Sequence, residues 1–164
     1  MNFLAIDFET ADQQRDSACA VGLTRVEANK IVEIKSFLIK PPRREFVFTD
    51  IHGITWNDVK DSPSFKDLWP ELKPFMRGIE CFVAHNAGFD KSVLHACCSK
   101  GRIPIPEIPF QCTMKLSRQI WDIRPTKLDI VCEHFKIPLN HHDAESDSVA
   151  CAKIMIKALK KLGK

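Results

Sequence analysis

Hydrophobic periodicity changes once along this chain, and that change constrains the fold more than any other feature. The first forty residues hold three β-like runs, at 3–9, about 18–26 and about 31–39, with Glu27-Ala28-Asn29-Lys30 as the turn between the last two. They predict an antiparallel three-stranded meander. After it, short apolar runs alternate with helical patterns. A loop rich in proline and arginine (Lys40 to Arg44) leads into irregular chain through Ile51-His52-Gly53-Ile54-Thr55. From Ser64 to about Arg77, the residues Phe65, Leu68, Trp69, Leu72, Phe75 and Met76 recur at helical spacing. Cys81-Phe82-Val83-Ala84-His85 reads as a buried strand, with Asn86 as the cap of a helix running to about Ser99. A strand near Phe110–Cys112 precedes a helix over 113–120. Thr126 and Asp129 open another helix, with Leu128, Val131, Cys132 and Phe135 on its buried face, and a last helix runs from Ala144 to about Leu162. A meander followed by strand–helix alternation predicts an α/β domain: a mixed central sheet covered by helices.

The 164 residues suit one domain, 1–164, with a core large enough to need neither disulfides nor a structural metal. Hydrophobic residues make up 45% and charged residues 27%, the balance of a globular chain rather than a disordered one. No stretch is apolar for long enough to span a bilayer, and the start lacks the basic region of a signal peptide. The seven cysteines are odd in number, lie mostly in apolar segments and form no C-x-x-C pair, so they read as reduced thiols of a cytoplasmic protein. A net charge of +3 is too small to identify a polyanionic partner. It is placed in two clusters: Lys40, Arg43 and Arg44, and five lysines at the C-terminal helix and tail, the latter reading as a solvated helix face.

Three places carry chemistry. Asp7 and Glu9, two apart on a strand, point to one face. Two carboxylates side by side in an apolar strand repel each other and resist burial unless a cation lies between them; an edge strand with one wet face is the alternative. Asp90 falls in the first turn of a helix leaving a buried strand, where acids complement the helix dipole but where open α/β sheets also place their sites. His141-His142-Asp143-Ala144-Glu145-Ser146-Asp147 gathers two imidazoles and three acids before the last helix. Within one helix, residues five apart are rotated by about 500°, so His142 and Asp147 converge only if His142 lies on the entering loop with Asp143 as cap. Surface loop histidines are the alternative. Together these places offer four acids and a histidine, a set suited to phosphodiester hydrolysis with two metal ions and a histidine base.

These residues resemble the DEDD superfamily of 3′→5′ exonucleases. Asp7-Phe8-Glu9-Thr10 resembles its D-x-E-T motif, His85-Asn86-Ala87-Gly88-Phe89-Asp90 its H-N-x-x-F-D pattern, and His142-Asp143-Ala144-Glu145-Ser146-Asp147 its H-x-A-x-x-D motif, in the family's order and over about residues 3–160. The chain contains no tyrosine, so the similarity is to the histidine branch (DEDDh), which includes the proofreading epsilon subunit and stand-alone exonucleases; Cys112-Thr113-Met114-Lys115-Leu116 followed by Trp121 resembles the exonuclease X type. The resemblance implies a ribonuclease-H-like fold with a five-stranded mixed sheet. It implies two divalent ions, Mg2+ or Mn2+, one bound by Asp7, Glu9 and Asp147 and the other by Asp7 and Asp90. His142 is the implied general base, preferred to His141 for its spacing to Asp147. Thr10, Ile51, His52 and Phe89 fall where the family lines the pocket for the terminal nucleotide, with core packing the alternative for Ile51 and Phe89. His85 reads as a satisfied strand-end histidine, and Trp56, Trp69 and Trp121 as packing.

The implied substrate is a single-stranded nucleic-acid 3′ end, DNA ahead of RNA, degraded to nucleoside monophosphates. A ribonuclease of the same branch and a catalytically silent nucleic-acid-binding domain are the rivals. No membrane partner is expected. A polymerase or other protein partner is left open, the chain lacking the longer C-terminal extension by which the epsilon subunit docks.

Overall fold

The computed structural model describes residues 1–163. Strands β1 (Phe3–Thr10), β2 (Ala18–Glu27) and β3 (Lys30–Leu38) form the meander, and β4 (Cys81–Ala84) and β5 (Phe110–Cys112) complete a five-stranded sheet of order β3-β2-β1-β4-β5. β1 pairs antiparallel with β2 and parallel with β4, and β4 pairs parallel with β5. The turn between β2 and β3 places Ala28 and Asn29 at positive φ, the backbone of a tight hairpin turn whose twist matches its strands. The mixed sheet expected from the sequence is therefore present, and β1 is its central strand rather than an edge.

Seven α-helices lie among the described residues. Two are single turns, α1 (Thr49–His52) and α2 (Trp56–Val59), within the segment that reads as irregular. The others are α3 (Phe65–Leu72), α4 (Ala87–Gly101), α5 (Thr113–Trp121), α6 (Leu128–Phe135) and α7 (Ala144–Lys161). β1 is buried on both faces. Leu4, Ile6 and Phe8 pack on one side with residues of α3 and α4, such as Leu68 and Val93; Phe3 and Ala5 pack on the other with α6 and α7, for example Val131 and Ile154. By the two-residue period of a strand, Asp7 and Glu9 continue the Phe3–Ala5 row. The apolar row changes to acids where α7 begins.

Three local expectations need correction. The helix from Ser64 divides at Leu72 into α3 and a 3₁₀ turn over Lys73–Met76, because Pro74 cannot donate the hydrogen bond that a longer α-helix requires. Asn86 stands before α4 with φ 63° and makes no side-chain cap; asparagine suits this place for its tolerance of the left-handed region. Thr126 is not the cap of α6, which starts at Leu128; its hydroxyl instead accepts a hydrogen bond from Arg118 at 2.7 Å. All seven cysteines are free, and six are buried. No helix among the described residues is long and apolar enough to cross a membrane.

Candidate active site

The site is built where three elements meet. β1 supplies Asp7 and Glu9, and its register shifts between Glu9 and Thr10, an irregularity of the kind that re-aims side chains beside sites. α4 supplies Asp90 from its first turn. The Asp90 carboxylate accepts the Phe8 backbone N–H at 3.0 Å, which ties the helix start to the centre of β1. α7 supplies Asp147 from its first turn, and Asp143 caps that helix by accepting the Ser146 N–H at 2.8 Å. Gly22, paired opposite Asp7, lets α7 approach this closely: a Cβ there would lie 1.8 Å from the Ala144 carbonyl oxygen. The buried Thr24–Ser148 hydroxyl pair, 2.8 Å apart, fixes the next turn of the helix.

Oxygens of Asp7, Glu9 and Asp147 all lie within 4.8 Å of one another, and Asp90 lines the same cleft of about 680 Å³. Asp90 and Asp147 are buried, and Glu9 is 9% exposed. The electrostatics follow. Burial, then Asp147 and Asp90, push the Glu9 carboxyl up to about 8. Asp90 rises to about 7 through burial, against the Phe8 hydrogen bond that favours its charged form. Asp7 is raised well above the ordinary range by burial and then by Asp90, Asp147 and Glu9, and Asp147 is raised by burial although His141 opposes the shift. Four carboxylates that cannot all ionise together form an incomplete set; a divalent cation, which prefers oxygen ligands, would remove the conflict. The buried Asp147 Oδ1 has no hydrogen-bond partner, as befits a ligand atom for a cation. The residues present therefore fit a divalent metal.

His142 lies on the loop entering α7, with φ 67°, as the spacing argument requires. Its backbone N–H donates to Asp147 Oδ2 at 3.2 Å, while the imidazole that reaches the same oxygen, at 3.0 Å, is that of His141. The two rings stack with centroids 3.8 Å apart. Burial, followed by His141, lowers the His142 pKa, so its ring is neutral near pH 7.

Thr10, Ile51, His52 and Phe89 all line the cleft. His52 accepts the Ile54 N–H at Nδ1 (3.0 Å), which leaves Nε2 to donate to the Thr10 carbonyl (3.0 Å). Nε2 thus joins α1 to β1, while Nδ1 holds the turn that follows α1. Ile51 is 52% exposed, so it is not core packing. Phe89 is half-buried beneath the Arg15 guanidinium, 4.6 Å from its centroid. His85 is satisfied as expected, by the Thr113 hydroxyl at 2.9 Å and the Thr126 carbonyl at 2.8 Å. Lys127, Asp129 and Met114 also line the cleft, and no sequence pattern singles them out for it. Asp129 reads as part of a helix start, and only the packing of α6 against α7 turns it toward the site.

Comparison with known proteins shows the family and the fold. The model of the RNase_T family, described as "Exonuclease", matches residues 4–155. A DNA polymerase III PolC-type from Caldanaerobacter subterraneus subsp. tengcongensis is 32% identical over 98% of this chain and 12% of its own length. Exodeoxyribonuclease 10 of Escherichia coli K12 is 36% identical over 71% of this chain and 47% of its own. The chain thus spans about an eighth of the PolC-type relatives and about half of the exodeoxyribonuclease. Among solved structures, exonuclease X in complex with 5′ overhanging duplex DNA superposes with a TM-score of 0.80 at 27% identity, covering 99% of this chain and 93% of that one. The nuclease domain of 3′hExo, a DEDDh family member bound to rAMP, shares the fold with a TM-score of 0.83 at 17% identity, over 97% and 92% of the chains.

Proposed function

This chain belongs to the RNase_T exonuclease family, and from that premise we propose that it is a 3′→5′ exonuclease releasing nucleoside monophosphates from DNA 3′ ends. The DEDDh exonucleases depend on divalent metal; for this chain the proposal is two ions, Mg2+ or Mn2+. Asp7, Glu9 and Asp147 would hold one, and Asp7 with Asp90 the other. The observation that carries the reading is the convergence of four mutually destabilised carboxylates with an orphaned Asp147 oxygen at the mouth of one cleft. Bound divalent ions supply charge neutralisation and Lewis acidity at the scissile phosphate.

The chain's own residues do the rest. Ile51 and Phe89 offer apolar faces to the terminal nucleoside, and stacking on such faces tolerates any base. The Thr10 backbone, held by His52, meets the 3′-hydroxyl. His142, neutral near pH 7, accepts the proton of the attacking water. The phosphorus–oxygen bond to the neighbouring 3′ oxygen breaks, leaving a nucleoside 5′-monophosphate and a strand with a new 3′-hydroxyl. DNA is preferred to RNA because relatives matching at 30% identity or more are a DNA polymerase and an exodeoxyribonuclease. Cytoplasmic residence accords with seven unpaired cysteines.

The test is digestion of 5′-labelled single-stranded DNA and RNA with Mg2+, Mn2+ or EDTA, using wild type, His142→Ala and His141→Ala. A ladder shortening from the 3′ end, abolished by EDTA and nearly lost in His142→Ala, is expected, with DNA cut faster. His141 holds Asp147 in this structure, which favours a second reading of the base; a larger loss in His141→Ala would transfer the role to it. No cleavage of either strand with either metal would leave a silent binding domain.

A further inference from the structure

A second depression, of about 790 Å³, is not used by the proposed chemistry. Its walls carry Lys40, Arg44, Lys60, Lys66 and Lys100 against two carboxylates, Asp16 and Asp61. Asp16 is already committed: Arg43 binds it at 2.5 Å and Lys100 stands 3.8 Å away. Lys40, Arg44, Lys60 and Lys66 have no carboxylate within ion-pair distance among the described residues. Half-buried Trp56 lines the same groove, with the Arg44 guanidinium 5.3 Å from its ring centroid.

The catalytic cleft has the opposite balance. One lysine, Lys127, faces Asp7, Glu9, Asp90, Asp129 and Asp147 there, so the cleft gives little hold on a polyanion beyond the scissile phosphate. Retention of a strand needs cations elsewhere. The chain that lines the cleft continues into the chain that lines the groove: Thr10 and His52 line the first, and Asp16 and Trp56, a few residues on, line the second. These connecting segments are firmly held. Arg43 joins Asp12 to Asp16, and the Val47 N–H donates to the Ala11 carbonyl at 2.8 Å. Four residues of chain, His52 to Trp56, reach at most about 14 Å. The groove wall at Trp56 therefore begins within about four nucleotides of the cleft wall at His52, at the 3.4 Å rise of a stacked strand.

We propose that this groove is a second nucleic-acid subsite, which takes the phosphodiester backbone of the substrate strand from about the fourth or fifth nucleotide upstream of its 3′ end. Cations interleaved with an aromatic face are what a single strand of any sequence binds. The assignment rests on the exonuclease reading for the strand's direction and on the groove's own charge for its occupant.

Substrate length tests it. Lys60→Ala/Lys66→Ala and Arg44→Ala proteins are compared with wild type on a 3-mer and a 20-mer of single-stranded DNA, at several salt concentrations. The 20-mer KM should rise about tenfold in the double variant, and its log–log salt dependence should flatten by roughly two, one for each phosphate that the missing lysines no longer neutralise. The 3-mer KM and both kcat values should not change, and Lys60→Arg/Lys66→Arg should restore the 20-mer. Equal effects on both lengths, or none on either, would overturn the subsite; the second result would point to an acidic protein as the occupant. If wild type hydrolyses neither oligonucleotide, the exonuclease reading fails separately. Fluorescence-anisotropy titration of a labelled 20-mer and 3-mer then decides the groove by the same length-dependent loss in the double variant.

Discussion

Two pairs of acids stand within ten residues of each other and have opposite fates. Asp12 and Asp16 share Arg43, whose guanidinium lies 2.8 Å from one and 2.5 Å from the other. Hydrogen bonds from Arg43 help hold both carboxyls below the usual carboxylate range, in Asp12 against the cost of burial. Asp7 and Glu9 have no resident cation, and burial with mutual repulsion holds them above that range. The first pair is a finished structural clamp that joins the loop after β1 to the chain preceding α1. The second is the set that, in the function proposed above, an outside cation completes. Carboxylates are of one chemical type in both places; the presence or absence of a built-in counter-charge separates architecture from chemistry.

The largest expected effect comes from removing a charge from the unfinished set. Asp7→Asn should lower exonuclease turnover by roughly 10³-fold or more, since several kcal/mol of charge stabilisation are lost. Its melting temperature in EDTA should stay level or rise, because repulsion is relieved. Loss of fold in this variant, seen by circular dichroism, would break the comparison. Gly22→Ala comes next. Its methyl group collides with the Ala144 backbone and pushes Asp147 off station, and displacement on the order of 1 Å costs about 10²-fold in rate.

The finished pair should respond in the opposite sense. Arg43→Ala leaves Asp12, 3% exposed, as a buried unpaired charge and should cost about 2–3 kcal/mol of stability. The Mn2+ affinity of the folded protein should change little. Denaturant unfolding alongside metal titration checks both statements, and a stable Arg43→Ala protein would show that the clamp carries no structural load.

The smallest effect is on pH. Raised carboxyl groups favour the protonated folded state. Their contribution is complete below the ordinary carboxylate range and is lost as pH rises through the folded value, about 8 for Glu9. The metal-free protein should therefore melt a few degrees lower at pH 8.5 than at pH 5.5, and saturating Mn2+ should narrow the gap. Asp12 and Asp16, lowered rather than raised, lose their contribution only when pH falls below the usual carboxylate range. A flat melting profile in EDTA between pH 5.5 and 8.5 would contradict the assignment of Asp7 and Glu9.

Much of this is legible in the sequence. The meander, the buried fourth strand and the final helix follow from apolar period alone, and Asp7 and Glu9 stand out because acids interrupt an otherwise buried row. Spacing also requires His142 to precede α7, where it lies. What stays hidden depends on contacts between distant segments. Arg43 reads as part of a basic loop, although two acids some thirty residues earlier claim it. Asn86 looks like a cap because its side chain can accept a hydrogen bond, yet tolerance of a left-handed backbone is its role here. Lys127 and Asp129 give no signal because their helix reaches the cleft only through tertiary packing. Spacing disfavours His141, and its contact with Asp147 depends on how one loop turns before α7.

Calorimetric titration of Mn2+ into the wild-type protein at pH 7.5, in two buffers of different ionisation enthalpy, reports whether the buried carboxylates exchange protons for a cation. The expected result is saturable binding with net release of at least one proton, because Glu9 at about 8 and Asp90 at about 7 together give up about one at pH 7.5 and the raised Asp7 adds to it, and loss of that binding in Asp7→Asn. Binding without proton release would mean that these carboxylates are already ionised, and absence of binding that the cleft holds no cation; either result would contradict a carboxylate set completed by metal.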